Sequence, residues 1–479
     1  MTATSRSNTN VAWLFFALIF STAALTLAVY SNRYGYDFDV DEMPVLAFVA
    51  VSIAIGTVFV LFAELVRQTA EKERNNRALL ALMIVAGLVF RLVMFFSEPI
   101  LEDDYQRYLW DGALTASGIN PFAHAPQGVQ DNPASPALAV LKKTAGPVLE
   151  RVNHPELRTI YPPVAQASFA LAHVVAPFKL VGWRIVCLAG ELFTLALILA
   201  LLVTLSRSML WAALYWWNPV VVRELLNSAH MEAVLMPLVL GTIFLSIRRL
   251  HLAAATSLGM AVGVKVWPIL LLPLILRPLT DRPWRLLVAL VLAAGLIALW
   301  TLPILNAGLD QTSGFVAYAD KWETNSALFP ALEQIATQIL WFTGINGFEP
   351  GYIVRGFAAV MLATISLAVA THPPVDARDV LRSAGLVAGA MVLLSPAQFP
   401  WYSVWFMVFL PFFPLRGFIV LSALLPLYYS AFYFIPRDEL QIFEDLVVWV
   451  IWLPTWALLF WQLSRSPLTA RSASGSDIT

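Results

Sequence analysis

The run Ala78-Leu79-Leu80-Ala81-Leu82-Met83-Ile84-Val85-Ala86-Gly87-Leu88-Val89-Phe90-Arg91-Leu92-Val93-Met94-Phe95-Phe96 gives way at once to Ser97-Glu98-Pro99-Ile100-Leu101-Glu102-Asp103-Asp104-Tyr105-Gln106-Arg107-Tyr108-Leu109-Trp110-Asp111-Gly112. The first part matches the roughly 20 apolar residues a helix needs to cross a bilayer core. Pro99 ends it, and Gly112 is expected to close the short piece that follows. An apolar span that hands over to acids and phenols places polar chemistry at a lipid surface.

Working outward, comparable apolar runs occupy 11 to 30, 44 to 66, 184 to 204, 230 to 247, 284 to 304, 353 to 371, 417 to 435 and 444 to 463. Stretches 208 to 222, 252 to 276, 383 to 396 and 401 to 415 are shorter or interrupted by proline, as in Lys265-Val266-Trp267-Pro268, and are expected to be short, kinked or broken helices. The reading is an all-α polytopic membrane protein with about 11–14 crossings. Composition agrees: 59% of the 479 residues are hydrophobic and 13% charged, and the mean hydropathy is +0.73. So little charge excludes a water-soluble enzyme. A net charge of -1 offers nothing to attract nucleic acid. Cys187 is the sole cysteine, so neither an internal disulfide nor a cysteine-based zinc site can form.

The run at 11 to 30 has only Arg6 before it and no small-residue cleavage pattern after it, and is read as a retained anchor. Lys and Arg in short loops mark the cytoplasmic side. With both termini inside, inner loops collect Arg67, Lys72, Arg74 and Arg77, then Arg207, Arg248 and Arg249, Arg277, Arg282 and Arg285, Arg378 and Arg382, Arg416, Arg465 and Arg471; short outer loops keep Arg33, Arg223 and Arg437. This parity requires that 164 to 180 not cross and that 252 to 276 be broken. The expected organisation is an N-terminal two-helix hairpin (1–77), a membrane core (78–305) with outer loop 98–163, a second outer loop (306–352), C-terminal helices (353–463) and a cytoplasmic tail (464–479). Loops so long are candidates for function.

On a helix, Asp104, Arg107, Tyr108 and Asp111 fall at i, i+3, i+4 and i+7 and share a face. Asp104 or Asp103 suits a general base, because partial desolvation and a neighbouring carboxylate raise one pKa, with Arg107 holding the other ionised. Equally, the two acids could cap a surface helix, with Arg107 the i+4 partner of Asp103. Asn153-His154-Pro155 and Tyr161-Pro162-Pro163 lead into 164 to 180, which reads as an interfacial helix covering the bundle. Arg91 and Glu191 sit at matching depth inside two spans. An unpaired charge there costs on the order of 3 kcal/mol, so they are expected to meet or to line one wet cavity.

Polar groups also gather at Asn218-Pro219, Arg223-Glu224 and Asn227-Ser228-Ala229-His230-Met231-Glu232. His230 and Glu232 do not share a helical face. They could bind a hydroxyl, a phosphate or a divalent ion, although a His-x-Glu pair is a weak metal signal and helix capping is the commoner role. Lys265 follows Gly259 and Gly263, whose spacing usually serves helix packing, and is a reasonable phosphate contact. Trp110, Tyr161, Trp183, Trp217, Trp322, Trp401 and Tyr402 are outer-side aromatics that could stack on sugar rings or form an interfacial belt.

Over residues 78 to 305 this pattern resembles the GT-C superfamily of integral-membrane glycosyltransferases, in particular bacterial mannosyltransferases that use polyprenyl-phosphate sugars. The likeness rests on the Glu102-Asp103-Asp104-Tyr105-Gln106-Arg107-Tyr108 opening, Gly118-Ile119-Asn120-Pro121, Tyr161-Pro162-Pro163, the Asn218-Pro219 break, His230-Met231-Glu232 and Lys265. It implies an extracytoplasmic site with Asp104 as catalytic base and Asp103 as the adjacent alternative. The substrate-binding residues expected with it are Arg107, Tyr108, Tyr161, Arg223, His230, Glu232 and Lys265. It further implies inverting transfer of a hexose, with mannose the leading candidate, from a polyprenyl-phosphate donor to a lipid, glycan or protein acceptor, in a bacterial plasma membrane. A divalent metal is left open, since no clear Asp-x-Asp occurs in the second loop. A transporter or flippase is the rival reading; the two halves show no internal repeat, and the polar residues cluster on one side, which favours an enzyme.

Overall fold

The computed structural model describes residues 3–36, 38–73 and 76–465. Arg74, Arg471 and the tail from 466 onward lie outside the described residues, as does the side chain of Arg6. Among the described residues the chain is helical, and its only ladder pairing is an isolated bridge between Thr324 and Ala397. Eight helices among the described residues are long and apolar enough to cross a membrane: Asn8–Tyr34, Val45–Lys72, Arg77–Phe95, Leu180–Thr204, Pro283–Ala307, Pro350–Ala368, Arg416–Arg437 and Leu440–Arg465. The pair Pro219–Asn227 and Glu232–Ile247, bent by 120°, supplies a ninth if it is one span. The protein is thus an all-α polytopic membrane protein.

The shorter apolar stretches take the broken forms expected of them. Pro163–Val175, His251–Val262 and Trp267–Leu279 are short apolar helices, and 400–407 is a 3-10 turn followed by a single α turn. Stretch 383–396 differs, since it runs unbroken to Leu394 within one helix, Ala377–Leu394. Counting every such stretch as a crossing gave the higher total; at 1.5 Å per residue, helices of about 13 residues fall short of a ~30 Å core.

Long-range pairing organises the interior. Arg91 donates to Glu191 through Nη2 at 2.7 Å and Nε at 3.1 Å, and its Nη1 donates to the carbonyl of Trp216 at 2.7 Å. Tyr215 Oη donates to the other oxygen of Glu191 at 2.5 Å. Both charges are completely buried, so this polar knot satisfies groups that lipid could not. The first two spans pack into the same body: the Phe62 ring stacks on Trp217 at 4.7 Å, and Gly56 lies against the backbone of Ala423.

The first long loop folds into short helices, chiefly Asp104–Ala116, Pro126–Asp131 and Pro136–Ala145. They close over a small core of their own that includes Trp110, Leu114, Leu138 and Leu149. Gly112 does not close the first helix as its sequence position implied. It lies inside it, where a Cβ would come within 2.4 Å of the Phe169 carbonyl oxygen, so the glycine permits close approach to Pro163–Val175. The helix stops instead at Ser117 and the left-handed Gly118 (φ +71°).

Candidate active site

Two anchors hold the start of the loop against the bent pair. Arg184 donates to the carbonyls of Phe95, Ser97 and Asn227 at 2.7, 2.6 and 2.5 Å. Buried Asn227 accepts from the Ile100 N–H at 3.0 Å and donates to Ser97 Oγ at 2.7 Å and the Glu98 carbonyl at 2.6 Å. The bend itself follows from the sequence. Asn218 caps the helix that Pro219 starts, residues Arg223–Asn227 widen into a π turn, and Ala229 is left-handed at φ +58°. Irregular backbone of this kind is tolerated at membrane depth only where protein or a cavity surrounds it.

From the loop's other side, Arg107 donates to the carbonyls of Leu157, Asn153 and His154 at 3.0, 2.8 and 2.8 Å. It therefore clamps residues 153–157 and makes no ion pair with Asp103, contrary to the reading of it as an i+4 partner, although its charge still favours the ionised form of Asp103. Asn153 then donates to Asp104 Oδ1 at 2.9 Å and Asp103 Oδ1 at 3.0 Å. Asp103 occupies the N-cap position, yet its side chain makes no capping bond. Asp111, on the same face in sequence, turns away to accept from Gln166 at 3.2 Å. Next to Lys265, the N–H of Val164 donates to the Gly263 carbonyl at 2.8 Å. Gly259 and Gly263 serve packing, with Leu296, Val164 and Trp300 where their Cβ atoms would be.

These restraints surround a cavity of about 620 Å³ lined by Asp103, Asp104, Arg107, Tyr108, Tyr161, Glu232 and Lys265, together with Glu102 and Asn153. Arg223 and His230 do not line it: Arg223 pairs with Glu224 at 2.6 Å and stacks on Tyr429, and His230 lies just behind the wall, stacked on Trp401 at 3.8 Å. Asp104 is the most connected carboxylate. Its Oδ2 lies 3.4 Å from both the Tyr108 and Tyr161 hydroxyls and 3.8 Å from His230 Nδ1. Burial pushes both phenols well above their ordinary pKa, so they remain neutral donors. Asp103 is pushed up to about 6 by burial and the adjacent Asp104 charge. Glu102 is raised by burial, against the opposing pull of Arg223.

Also on the cavity lining, Lys265 Nζ pairs with Glu232 at 2.6 Å and lies 3.9 Å from the Tyr402 ring centroid. Neither His230 nor Glu232 caps a helix through its side chain: Glu232 begins Glu232–Ile247, whose N-cap, Met231, makes no side-chain capping bond. Of the aromatics singled out in the sequence, Tyr161, Trp322, Trp401 and Tyr402 line the cavity. Trp110 and Trp217 are core residues, and Trp183 is bonded to the Ala229 carbonyl. Sequence reasoning missed Glu102 and Glu224 as site groups. The only available signal was that each lies within a few residues of a group already singled out.

The family description alpha-(1->6)-mannopyranosyltransferase, N-terminal domain, matches residues 14–280, more than half of this 479-residue chain. Alpha-(1->6)-mannopyranosyltransferase A of Mycobacterium tuberculosis (strain ATCC 25618 / H37Rv) is 24% identical over 348 residues, a span covering 67% of this chain and 63% of that protein. No solved structure matches. The matched segment holds Asp103, Asp104, the bent pair and Lys265, so it takes in the charged part of the cavity lining, while the aromatic wall that includes Tyr318, Trp401 and Tyr402 lies beyond it. The chain belongs to the alpha-(1->6)-mannopyranosyltransferase family.

Proposed function

We propose that this protein transfers a mannosyl group from a polyprenyl-phosphate donor to an acceptor hydroxyl at the outer face of a bacterial plasma membrane, both termini being cytoplasmic. The observation that carries the reading is Asp104 on the wall of a 620 Å³ cavity that also contains Lys265. A carboxylate and a cation lining one cavity supply the two charges that glycosyl transfer needs. Asp104 accepts the proton of the acceptor O–H as that oxygen attacks C1. The C1–O bond to phosphate breaks, its electron pair leaves with the phosphate, and Lys265 balances the charge that develops there. One displacement inverts the anomeric centre.

Tyr108 and Tyr161 orient the Asp104 carboxylate, and Asn153 holds its second oxygen. Trp401, Tyr402 and Trp322 offer faces for a sugar ring, while an isoprenoid tail would stay among the lipid-facing helices. Arg223 does not line the cavity and is therefore a less direct partner for phosphate than Lys265. The test is mannosyl transfer from a synthetic polyprenyl-phosphate mannose by the full chain in nanodiscs. Transfer by the unmodified protein that Asp104→Asn abolishes supports the reading; no transfer, or full activity in the Asp104→Asn and Asp103→Asn variants alike, overturns it.

A further inference from the structure

His230 is completely buried, and neither ring nitrogen has a hydrogen-bond partner. Its Nε2 nonetheless faces two carboxylates, Glu224 Oε2 at 3.5 Å and Glu102 Oε2 at 3.9 Å. Glu102 Oε1 is likewise buried without a partner. One oxygen from each glutamate and the imidazole nitrogen lie within 4.8 Å of one another. These separations are too long for hydrogen bonds. Ligands 2.0–2.2 Å from a tetrahedral ion stand about 3.3–3.6 Å apart; the 3.5 Å contact of His230 with Glu224 lies in that range, and the 3.9 Å contact with Glu102 is slightly longer.

Charge leads to the same place. Two glutamates and a histidine are enclosed together, and Arg223, the one cation in contact among the described residues, is bonded to Glu224 Oε1 at 2.6 Å and to the Ile100 carbonyl. The Tyr429 hydroxyl further fixes the Glu224 carboxylate, lying 3.0 Å from Oε1 and 3.2 Å from Oε2, and Oε2 also faces His230. A buried imidazole without partners costs stability unless something fills the gap.

We propose that Glu102, Glu224 and His230 hold a divalent transition-metal ion, of the Mn2+ or Zn2+ class, directly behind the Asp104 wall of the cavity. One imidazole nitrogen with two carboxylate oxygens favours such ions over Ca2+, which prefers oxygen alone. A metal on Nε2 places the proton on Nδ1, and Nδ1 faces Asp104 Oδ2 at 3.8 Å. That is the carboxylate–histidine–metal relay in which the outer carboxylate orients the ligand ring. The ion then couples to the base through His230. Its role in transfer rests on the function proposed above, but its binding does not.

The experiment uses the full chain in nanodiscs, stripped with a chelator and titrated with Mn2+. About one ion per chain is expected, with spin-echo spectra showing nitrogen-14 coupling from a coordinated imidazole. His230→Gln should remove that coupling and weaken binding at least about tenfold, and Glu102→Gln should weaken binding comparably while keeping side-chain size. Asp103→Asn should retain both signals. Gel-filtration profiles and intrinsic fluorescence establish that each variant is folded, and Glu224→Gln replaces either variant that is not. No stoichiometric Mn2+ or Zn2+ on the unmodified chain, or equal binding by the ligand variants, overturns the proposal. Because no readout requires sugar transfer, failure of the metal site and failure of the proposed reaction are separable.

Discussion

Arg91 and Glu191, one hundred residues apart, form a 2.7 Å ion pair with neither side chain exposed. Because Tyr215 and the Trp216 carbonyl complete the set, removing one charge leaves the others stranded. Arg91→Met should cost about 3–5 kcal/mol in reversible unfolding, whereas Arg91→Met with Glu191→Met should cost less than either single change. A simple exchange of the two residues should rescue little, since a glutamate at 91 would face the Gly87 and Trp216 carbonyls. A loss under about 1 kcal/mol for Arg91→Met would show that the pair is not sealed from solvent.

Asp104→Asn keeps the shape of the side chain and removes its basicity. Transfer should fall by roughly 10²–10⁴, the range that general-base catalysis supplies, with donor binding nearly unchanged. Asp103→Asn should lose less, because Asp103 lacks the contacts with Tyr108, Tyr161 and His230 that direct Asp104. Single-turnover rates set beside donor-binding isotherms separate the two effects. An Asp103→Asn defect larger than that of Asp104→Asn would reassign the base.

Asn227 lines no part of the cavity yet fixes the backbone at Ile100 and Glu98 and the Ser97 hydroxyl. Asn227→Ala leaves buried donors and acceptors unmatched at about 1–3 kcal/mol each. The expected signature is a kcat at least about tenfold lower with KM for the donor within about threefold, since a positioning residue alters Asp104 placement more than binding. Asn227→Asp, which can accept but not donate, should not restore the rate. An unchanged kcat in Asn227→Ala would detach this anchor from catalysis.

Lys265→Met should raise KM for the lipid-phosphate donor and also destabilise the chain, because Glu232 is wholly buried and loses its cation. Lys265→Arg should recover stability more than affinity, as the guanidinium keeps the charge but not the compact ammonium that sits over Tyr402. Thermal unfolding and donor titration on both variants check this. Equal affinity in Lys265→Met and the unmodified protein would place the phosphate elsewhere.

Spans were legible because bilayer thickness imposes one length on all of them, and Arg91 could be matched to Glu191 because lipid makes an unpaired charge costly at any depth. The acidic loop was legible from its abrupt change of composition. What the sequence hid depends on three-dimensional approach. Arg107 follows Asp103 by one helical turn, and only the fold of residues 153–157 shows that carbonyls outcompete the carboxylate. Glu102 and Glu224 are 122 positions apart, and no periodicity indicates that a left-handed Ala229 turns His230 between them.

Gly112 was misread for the same reason, and it yields a sharp stability test. A turn glycine tolerates a methyl group poorly because of its backbone angles, but Gly112 sits within Asp104–Ala116 and has no positive φ. Helix propensity alone would favour alanine by about 1 kcal/mol. Opposing this, the new Cβ would stand 2.4 Å from the carbonyl oxygen of Phe169, a backbone atom that cannot rotate aside. Overpacking of that kind costs about 1–3 kcal/mol, so Gly112→Ala should lower Tm and loosen the loop helix from Pro163–Val175. Gly128, inside Pro126–Asp131 with nothing within 4 Å of its Cβ position, is the matched control, and Gly128→Ala should leave Tm equal or higher. Equal Tm shifts in the two variants would mean that the loop helix and Pro163–Val175 do not pack at the closeness that puts Tyr108 and Tyr161 on one side of Asp104.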